Sequence, residues 1–154
     1  VHLTAASSKI AGAYFGLAYK RIILDGNTSW QPLKCTGSSV AGTTIDLTYN
    51  AASQLVWDTT IVASQTNRGF RVVDAGLAPL TISSVSIVGT NTVRIVVASG
   101  TPAKVYVGFA DPNDHTANIA KTNLRDSQGE TIVSDGGGMD YPMHNWAVLQ
   151  RIPL

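Results

Sequence analysis

After Pro32 the chain is a succession of short apolar runs separated by turn residues, with no crossover helix visible among them. That spacing constrains the fold more than any other feature. Parallel neighbours in a sheet need a connection of a dozen or more residues, usually helical, so strands this closely spaced must pair antiparallel. Ile45-Asp46-Leu47-Thr48-Tyr49 alternates apolar and polar residues, as a strand with one buried face does. Val93-Arg94-Ile95-Val96-Val97 alternates more loosely, and residues 70–73, 80–88, 104–109 and 145–149 complete the expected set. Ala41-Gly42, Asn67-Arg68-Gly69, Ala75-Gly76, Gly89-Thr90-Asn91 and Ser99-Gly100-Thr101-Pro102 supply the turns between them. The pattern reads as a mainly β chain, an antiparallel β-sandwich.

One α-helix is expected ahead of the sandwich. From residue 4 to about residue 24 there is no proline, and Ile10, Ala13, Tyr14, Leu17 and Ala18 fall on one stripe. Thr4 is placed to cap its start, Lys20 and Arg21 favour its C-terminal dipole, and Asp25-Gly26 stops it. Ala11, Gly12, Ala13, Gly16 and Ala18 leave the helix thin-sided, which predicts close packing against another element. Two segments follow: residues 1–31 as helix and linker, the end of a preceding domain or an oligomerisation element, and residues 32–154 as the sandwich. Between residues 111 and 141 the pattern dissolves into Asp, Asn, Gly and Ser, which reads as a long loop of the sort that carries function.

Composition removes several classes of function. Hydrophobic residues make up 44% of the 154, too many for a disordered segment. Charged residues make up only 14%, the net charge is +1 and no Lys/Arg cluster occurs, so a nucleic-acid partner is not expected. No apolar run reaches the roughly 18 residues of a membrane-spanning helix. Cys35 is alone, which excludes an internal disulfide and a multi-cysteine zinc site and leaves a buried or half-buried small apolar residue. Asp111-Pro112-Asn113-Asp114-His115 alternates oxygen ligands, but the glycine and distal glutamate of a calcium loop are missing, and these are ordinary turn formers. His115 and His144 lack a third metal ligand. Neither metal nor cofactor is expected. The start, Val1-His2-Leu3-Thr4, has no initiator Met and no signal-peptide pattern, so the chain is expected to have been cut from a longer polypeptide.

Val1-His2-Leu3-Thr4-Ala5-Ala6, followed by a small-residue helix containing Gly12-Ala13-Tyr14-Phe15-Gly16, resembles the last sequence block of the SGNH (GDSL-like) hydrolases. These are esterases acting on acylated sugars, lipids and similar substrates. The resemblance implies that His2 is the general base of a Ser-His-Asp triad, its aspartate lying three residues earlier, ahead of Val1. No Gly-Asp-Ser nucleophile motif occurs in the 154 residues, and a triad with one member cannot turn over.

A second resemblance covers most of the remaining chain. Leu55-Val56-Trp57-Asp58-Thr59-Thr60, Asn67-Arg68-Gly69-Phe70, Thr122-Asn123-Leu124-Arg125-Asp126-Ser127 and Tyr141-Pro142-Met143-His144-Asn145-Trp146 are similar to a module found at the C-terminus of such esterases and in phage tail-fibre and tailspike proteins. That likeness implies a β-sandwich engaged in glycan contact or trimer assembly. Sugar recognition combines an aromatic face with amides and carboxylates for the hydroxyls. Asn123, Arg125, Asp126, Tyr141, His144, Asn145 and Trp146 offer that mixture, and Arg125 would add paired hydrogen bonds to an acidic sugar. The structural alternative makes Arg125-Asp126 a turn ion pair and Trp146 a core residue, with Trp30 and Trp57 as packing residues.

The leading expectation is a non-catalytic C-terminal carbohydrate-binding or receptor-recognition module of a phage tailspike or a secreted esterase. The alternatives are the C-terminal part of an SGNH-type carbohydrate esterase, with His2 as base, and a structural trimerisation cap. The partners implied are an oligosaccharide or polysaccharide, an upstream catalytic domain of the same protein, and two further copies in a homotrimer. The location implied is the virion tail or the extracellular medium.

Overall fold

Alternating burial builds the sandwich outward from two central strands. The structure, a computed structural model, describes residues 5–108, 122–133 and 140–154. Strand β2 (Thr44–Tyr49) buries Ile45, Leu47 and Tyr49, and β7 (Thr92–Val97) buries Val93, Ile95 and Val97. This is the period of two that a half-buried strand requires. The strands pair antiparallel with Ile45 opposite Ile95 and Leu47 opposite Val93, so their apolar faces coincide. On the other face Asp46 stands opposite Arg94 and accepts two hydrogen bonds from it, Nε to Oδ1 at 2.8 Å and Nη2 to Oδ2 at 2.7 Å.

With β1 (Cys35–Ala41) and β6 (Ile82–Val88) these strands form a sheet in the order β1-β2-β7-β6. A second sheet has the order β11 (Gln150–Pro153), β8 (Lys104–Val107), β4 (Phe70–Val73), β5 (Pro79–Leu80). A third has the order β10 (Asp140–Trp146), β9 (Leu124–Val133), β3 (Leu55–Trp57). Phe70, Val72, Val105 and Val107 of the second sheet and Leu55 and Leu124 of the third join the β2 and β7 side chains in one apolar cluster. Each large aliphatic or aromatic side chain fully buried there contributes about 1.5–3 kcal/mol. Cys35 is half-buried and packs against this cluster, as does Trp57, whose ring meets Phe70 edge-on at 6.2 Å between centroids.

The chain forms two compact units, one of Val1–Gln31 with Gly129–His144 and one of Pro32–Gln128 with Asn145–Leu154. The sandwich core belongs to the second. In the first, α1 (Ala5–Tyr19) runs into a π-helical turn, Lys20–Leu24, closed by Asp25 N–H donating to Lys20 O at 2.8 Å. Gly26, at φ 66°, then takes the left-handed step that ends it. Leu17 is buried, and Ile10, Ala13, Tyr14 and Ala18 are half-buried beside it. Phe15, Tyr19 and Ile23 form a second apolar stripe that is 58–77% exposed. Arg21 lies over the Trp30 ring, 5.7 Å from its centroid.

Several expectations change: β1 and β3 lie outside the expected set of strands. The run 80–88 divides at Thr81 into β5 and β6. The run 145–149 is the end of β10 and the connection to β11. Part of the expected loop, residues 124–133, is β9, the longest of the described strands. Among the described residues no helix is long and apolar enough to cross a membrane, and no three His, Cys, Asp or Glu residues are grouped for a metal. His2, Thr4 and the stretch 111–115 lie outside the described residues.

Candidate functional site

The polar residues of Asn123–Asp126 face inward. Asn123, at 0% exposure, lies immediately before β9 and fastens the 58–65 loop that follows β3. Its Nδ2 donates to the carbonyls of Asp58, Val62 and Ala63, each at 2.9 Å, and its Oδ1 accepts from Gln65 N–H at 3.0 Å. Asp58 N–H donates in turn to Asn123 O at 2.9 Å. One buried amide thus satisfies a loop whose backbone would otherwise be left unpaired.

Asp58 holds the same loop from its other side. Its Oδ1 accepts from Thr60 and Ile61 N–H, both at 2.9 Å, and its Oδ2 from Arg125 Nε at 2.8 Å. Burial pushes the Asp58 carboxyl up, but the Ile61 N–H, the Arg125 guanidinium and the Thr60 N–H outweigh it, and the net effect is a lowered pKa. Arg125 Nη1 donates to the Asp126 carbonyl at 2.9 Å. The ion pair of Arg125 is therefore with Asp58, from which 67 residues separate it, and not with its neighbour Asp126.

Asp126, also at 0% exposure, accepts from Gln128 N–H at 3.0 Å and from Asn145 Nδ2 at 2.9 Å. Asn145 Oδ1 accepts from Leu33 N–H at 3.1 Å. Strands β9 and β10 are neighbours in the third sheet. Residues 124–127 are strand rather than loop, and Asn123, Asp126 and Asn145 spend their polar atoms inside the chain. Two nitrogens of Arg125 are likewise engaged, and its side chain is only 17% exposed.

Two further residues of the expected site belong to the other compact unit. The carbonyl of His144 accepts from the Tyr14 hydroxyl at 2.8 Å, and its imidazole closes over Gly129, where an added Cβ would stand 3.0 Å from Nδ1. Tyr141 is placed on β10, and its side chain lies outside the described residues.

Trp146 is half-buried at the end of β10 and lines a shallow groove of about 260 Å³ with Ile61, Val62, Thr122, Ala147 and Leu149. The Asp58–Asn123–Arg125 network fixes the wall carrying Ile61 and Val62. The opposite wall is set by Ala147 N–H donating to Leu124 O at 3.0 Å and Val148 N–H to Leu33 O at 2.9 Å. Ile61 and Leu149 keep 50% and 53% of their surface in water, so the groove presents apolar area beside an indole. Thr122 Oγ1 of its lining donates to Arg68 O and accepts from Leu124 N–H, both at 3.1 Å. Sequence reasoning named Trp146 and missed the other five lining residues. The adjacency of Ile61 and Leu149 depends on Asp58 curling its loop, which no local pattern announces.

Among the described residues the chain is mainly β, three antiparallel sheets after one N-terminal α-helix, with an apolar groove beside the Trp146 indole. No family model matches the chain, and no curated protein matches it in sequence. Among solved structures the chain is similar to a carbohydrate acetylesterase from Xanthomonas citri, with a TM-score of 0.58 and 16% sequence identity. The match covers 92% of this chain and 27% of that one, so the likeness is one of fold and spans about a quarter of the larger protein.

Proposed function

We propose that this chain is the helix-and-sandwich part of an SGNH-like carbohydrate esterase acting outside the cell. In this reading the sandwich holds the polysaccharide, and the groups that complete the catalytic triad come from elsewhere in the same protein. The observation that carries it is the extent of the structural likeness: the match takes in 92% of this chain, and it does so within an enzyme described as a carbohydrate acetylesterase. The exposed stripe of Phe15, Tyr19 and Ile23 supports it too, because apolar surface of that kind marks a contact with further protein.

In this reading His2 is the general base. It takes the proton of the nucleophilic serine as the hydroxyl attacks the acetyl carbonyl, and returns it to the departing sugar oxygen. The groove at Trp146 contributes binding rather than chemistry, the indole lying against the C–H face of a pyranose ring. The test uses acetylated xylan and 4-nitrophenyl acetate. The 154-residue chain alone is expected to release acetate no faster than buffer, and the full-length gene product to release it with turnover that His2→Ala abolishes. A full-length protein without esterase activity, or one that keeps it after His2→Ala, overturns the reading.

A further inference from the structure

Glycan transfer to an asparagine amide reads Asn-x-Ser or Asn-x-Thr, with x any residue but proline, and needs that asparagine at the surface because the added group is bulky. Asn27-Thr28-Ser29 is the one place in the 154 residues where the pattern occurs. Three residues often match by chance, and it is the surrounding structure that makes this match a site.

Asn27, Thr28 and Ser29 are all exposed, so a transferase can reach the amide without unfolding the chain. They open a turn that Trp30 N–H closes by donating to Asn27 O at 3.1 Å, and asparagine is favoured at the first position of such turns. Ser29 Oγ donates to Asn27 Oδ1 at 3.0 Å. The amide and the hydroxyl that acceptor recognition reads as a pair therefore already stand together. The turn also has a fixed base. Asn27 N–H donates to Arg21 O at 2.9 Å, and the Arg21 guanidinium lies 5.7 Å from the centroid of the half-buried Trp30 ring.

Asp25 stands two residues ahead of Asn27, its carboxylate 2.7 Å from Lys20 Nζ and its side chain 47% exposed. Asp25-Gly26-Asn27-Thr28-Ser29 thus fits the longer acceptor pattern of bacterial oligosaccharyltransferases as well, which adds an acidic residue at that place.

We propose that Asn27 is an attachment site for an N-linked oligosaccharide, delivered from a polyprenyl-diphosphate carrier by an oligosaccharyltransferase. Asn27 Nδ2 bonds to C1 of the first sugar as the bond from C1 to the diphosphate oxygen breaks. The diphosphate leaves with that electron pair, and Nδ2, which carries two hydrogens, gives up one proton. The site is independent of the esterase reading and shares with it only a chain that leaves the cytoplasm. Asn27 belongs to the first compact unit, and the groove at Trp146 to the second.

The test incubates the purified 154-residue chain with a bacterial oligosaccharyltransferase and its polyprenyl-diphosphate-linked oligosaccharide, and reads intact mass. The wild type is expected to gain the mass of one oligosaccharide, on the peptide that contains Asn27. Asn27→Gln and Ser29→Ala are expected to lose that gain and Ser29→Thr to keep it. All three should keep the wild-type circular dichroism, since both positions are exposed. A synthetic peptide of residues 23–31 separates motif from fold and is expected to be modified too. A folded chain that gains no mass while the peptide is modified shows that the fold withholds Asn27. A peptide that is itself refused shows that the sequence is no acceptor. Either result overturns the proposal, as does a gain that survives Asn27→Gln. None of these outcomes changes the acetate-release assay, so the two readings stand or fall separately.

Discussion

Asn145 Nδ2 donates to Asp126 Oδ2 at 2.9 Å while Asn145 Oδ1 accepts from Leu33 N–H at 3.1 Å, so one amide joins the end of β10 to a buried carboxylate and to the approach to β1. Asn145→Ala removes both bonds and leaves Asp126, at 0% exposure, with the Gln128 N–H as donor. Hydrogen bonds to buried charge are among the more valuable, so the expected loss is roughly 2–4 kcal/mol in urea unfolding. Asn145→Asp should cost more, since it sets carboxylate against carboxylate. A change under about 0.5 kcal/mol for either variant, the usual range for surface substitutions, would contradict this role for Asn145.

The second prediction concerns acid. The Asp58 pKa is lowered in the folded chain, so its contribution to stability is present above the ordinary carboxylate range and is lost as pH falls through the folded pKa. Asp46, lowered by its hydrogen bonds from Arg94, acts in the same direction. Melting temperature should therefore drop below about pH 4, where an unfolded aspartate begins to take up its proton. Asp58→Asn should lower stability at neutral pH and flatten that acid limb. An equally steep limb in Asp58→Asn would remove Asp58 from the account.

Gly100 supplies a backbone test. It sits at φ 92°, and an added Cβ would stand 2.8 Å from Leu80 Cδ2. Gly100→Ala must accept left-handed strain and push the Leu80 side chain aside, at about 1–3 kcal/mol. Leu80→Ala in the same chain should relieve the clash but keep the strain, so the double variant should lose less than the two single losses added together. Strict additivity would show that the contact with Leu80 carries no energy.

Strands were legible where burial alternates. Ile45-Leu47-Tyr49 and Val93-Ile95-Val97 point one way from a regular backbone, and the residues between them point out. Strand β1 was not legible because residues 36–41 are exposed on both faces, which leaves a Ser, Thr and Gly run without an apolar rhythm. Strand β9 was hidden for the opposite reason: Asp126, and Asn123 just ahead of the strand, are polar residues in buried positions, satisfied by partners far away in sequence. The same long-range pairing governs the site. A local reading joins Arg125 to Asp126, whereas the fold spends Arg125 on Asp58 and thereby shapes the loop that presents Ile61. Residue type pointed to Trp146; its apolar neighbours come from loops whose course depends on buried hydrogen bonds.

The proposed hold of the sandwich on carbohydrate through the groove at Trp146 is tested most directly by calorimetric titration of the chain with acetylated xylan oligosaccharides. Trp146→Ala removes the aromatic face, and Leu149→Ser removes an apolar wall residue that is 53% exposed. A nucleobase stacked on one aromatic side chain gains about 1–3 kcal/mol; with a comparable gain for a sugar face, Trp146→Ala should weaken binding about tenfold or more, and Leu149→Ser should weaken it less. Both variants should keep the cooperative unfolding of the wild type. Binding by the wild type that falls in this order is the predicted result. No binding by the folded wild type, or equal binding by all three proteins, would contradict the account.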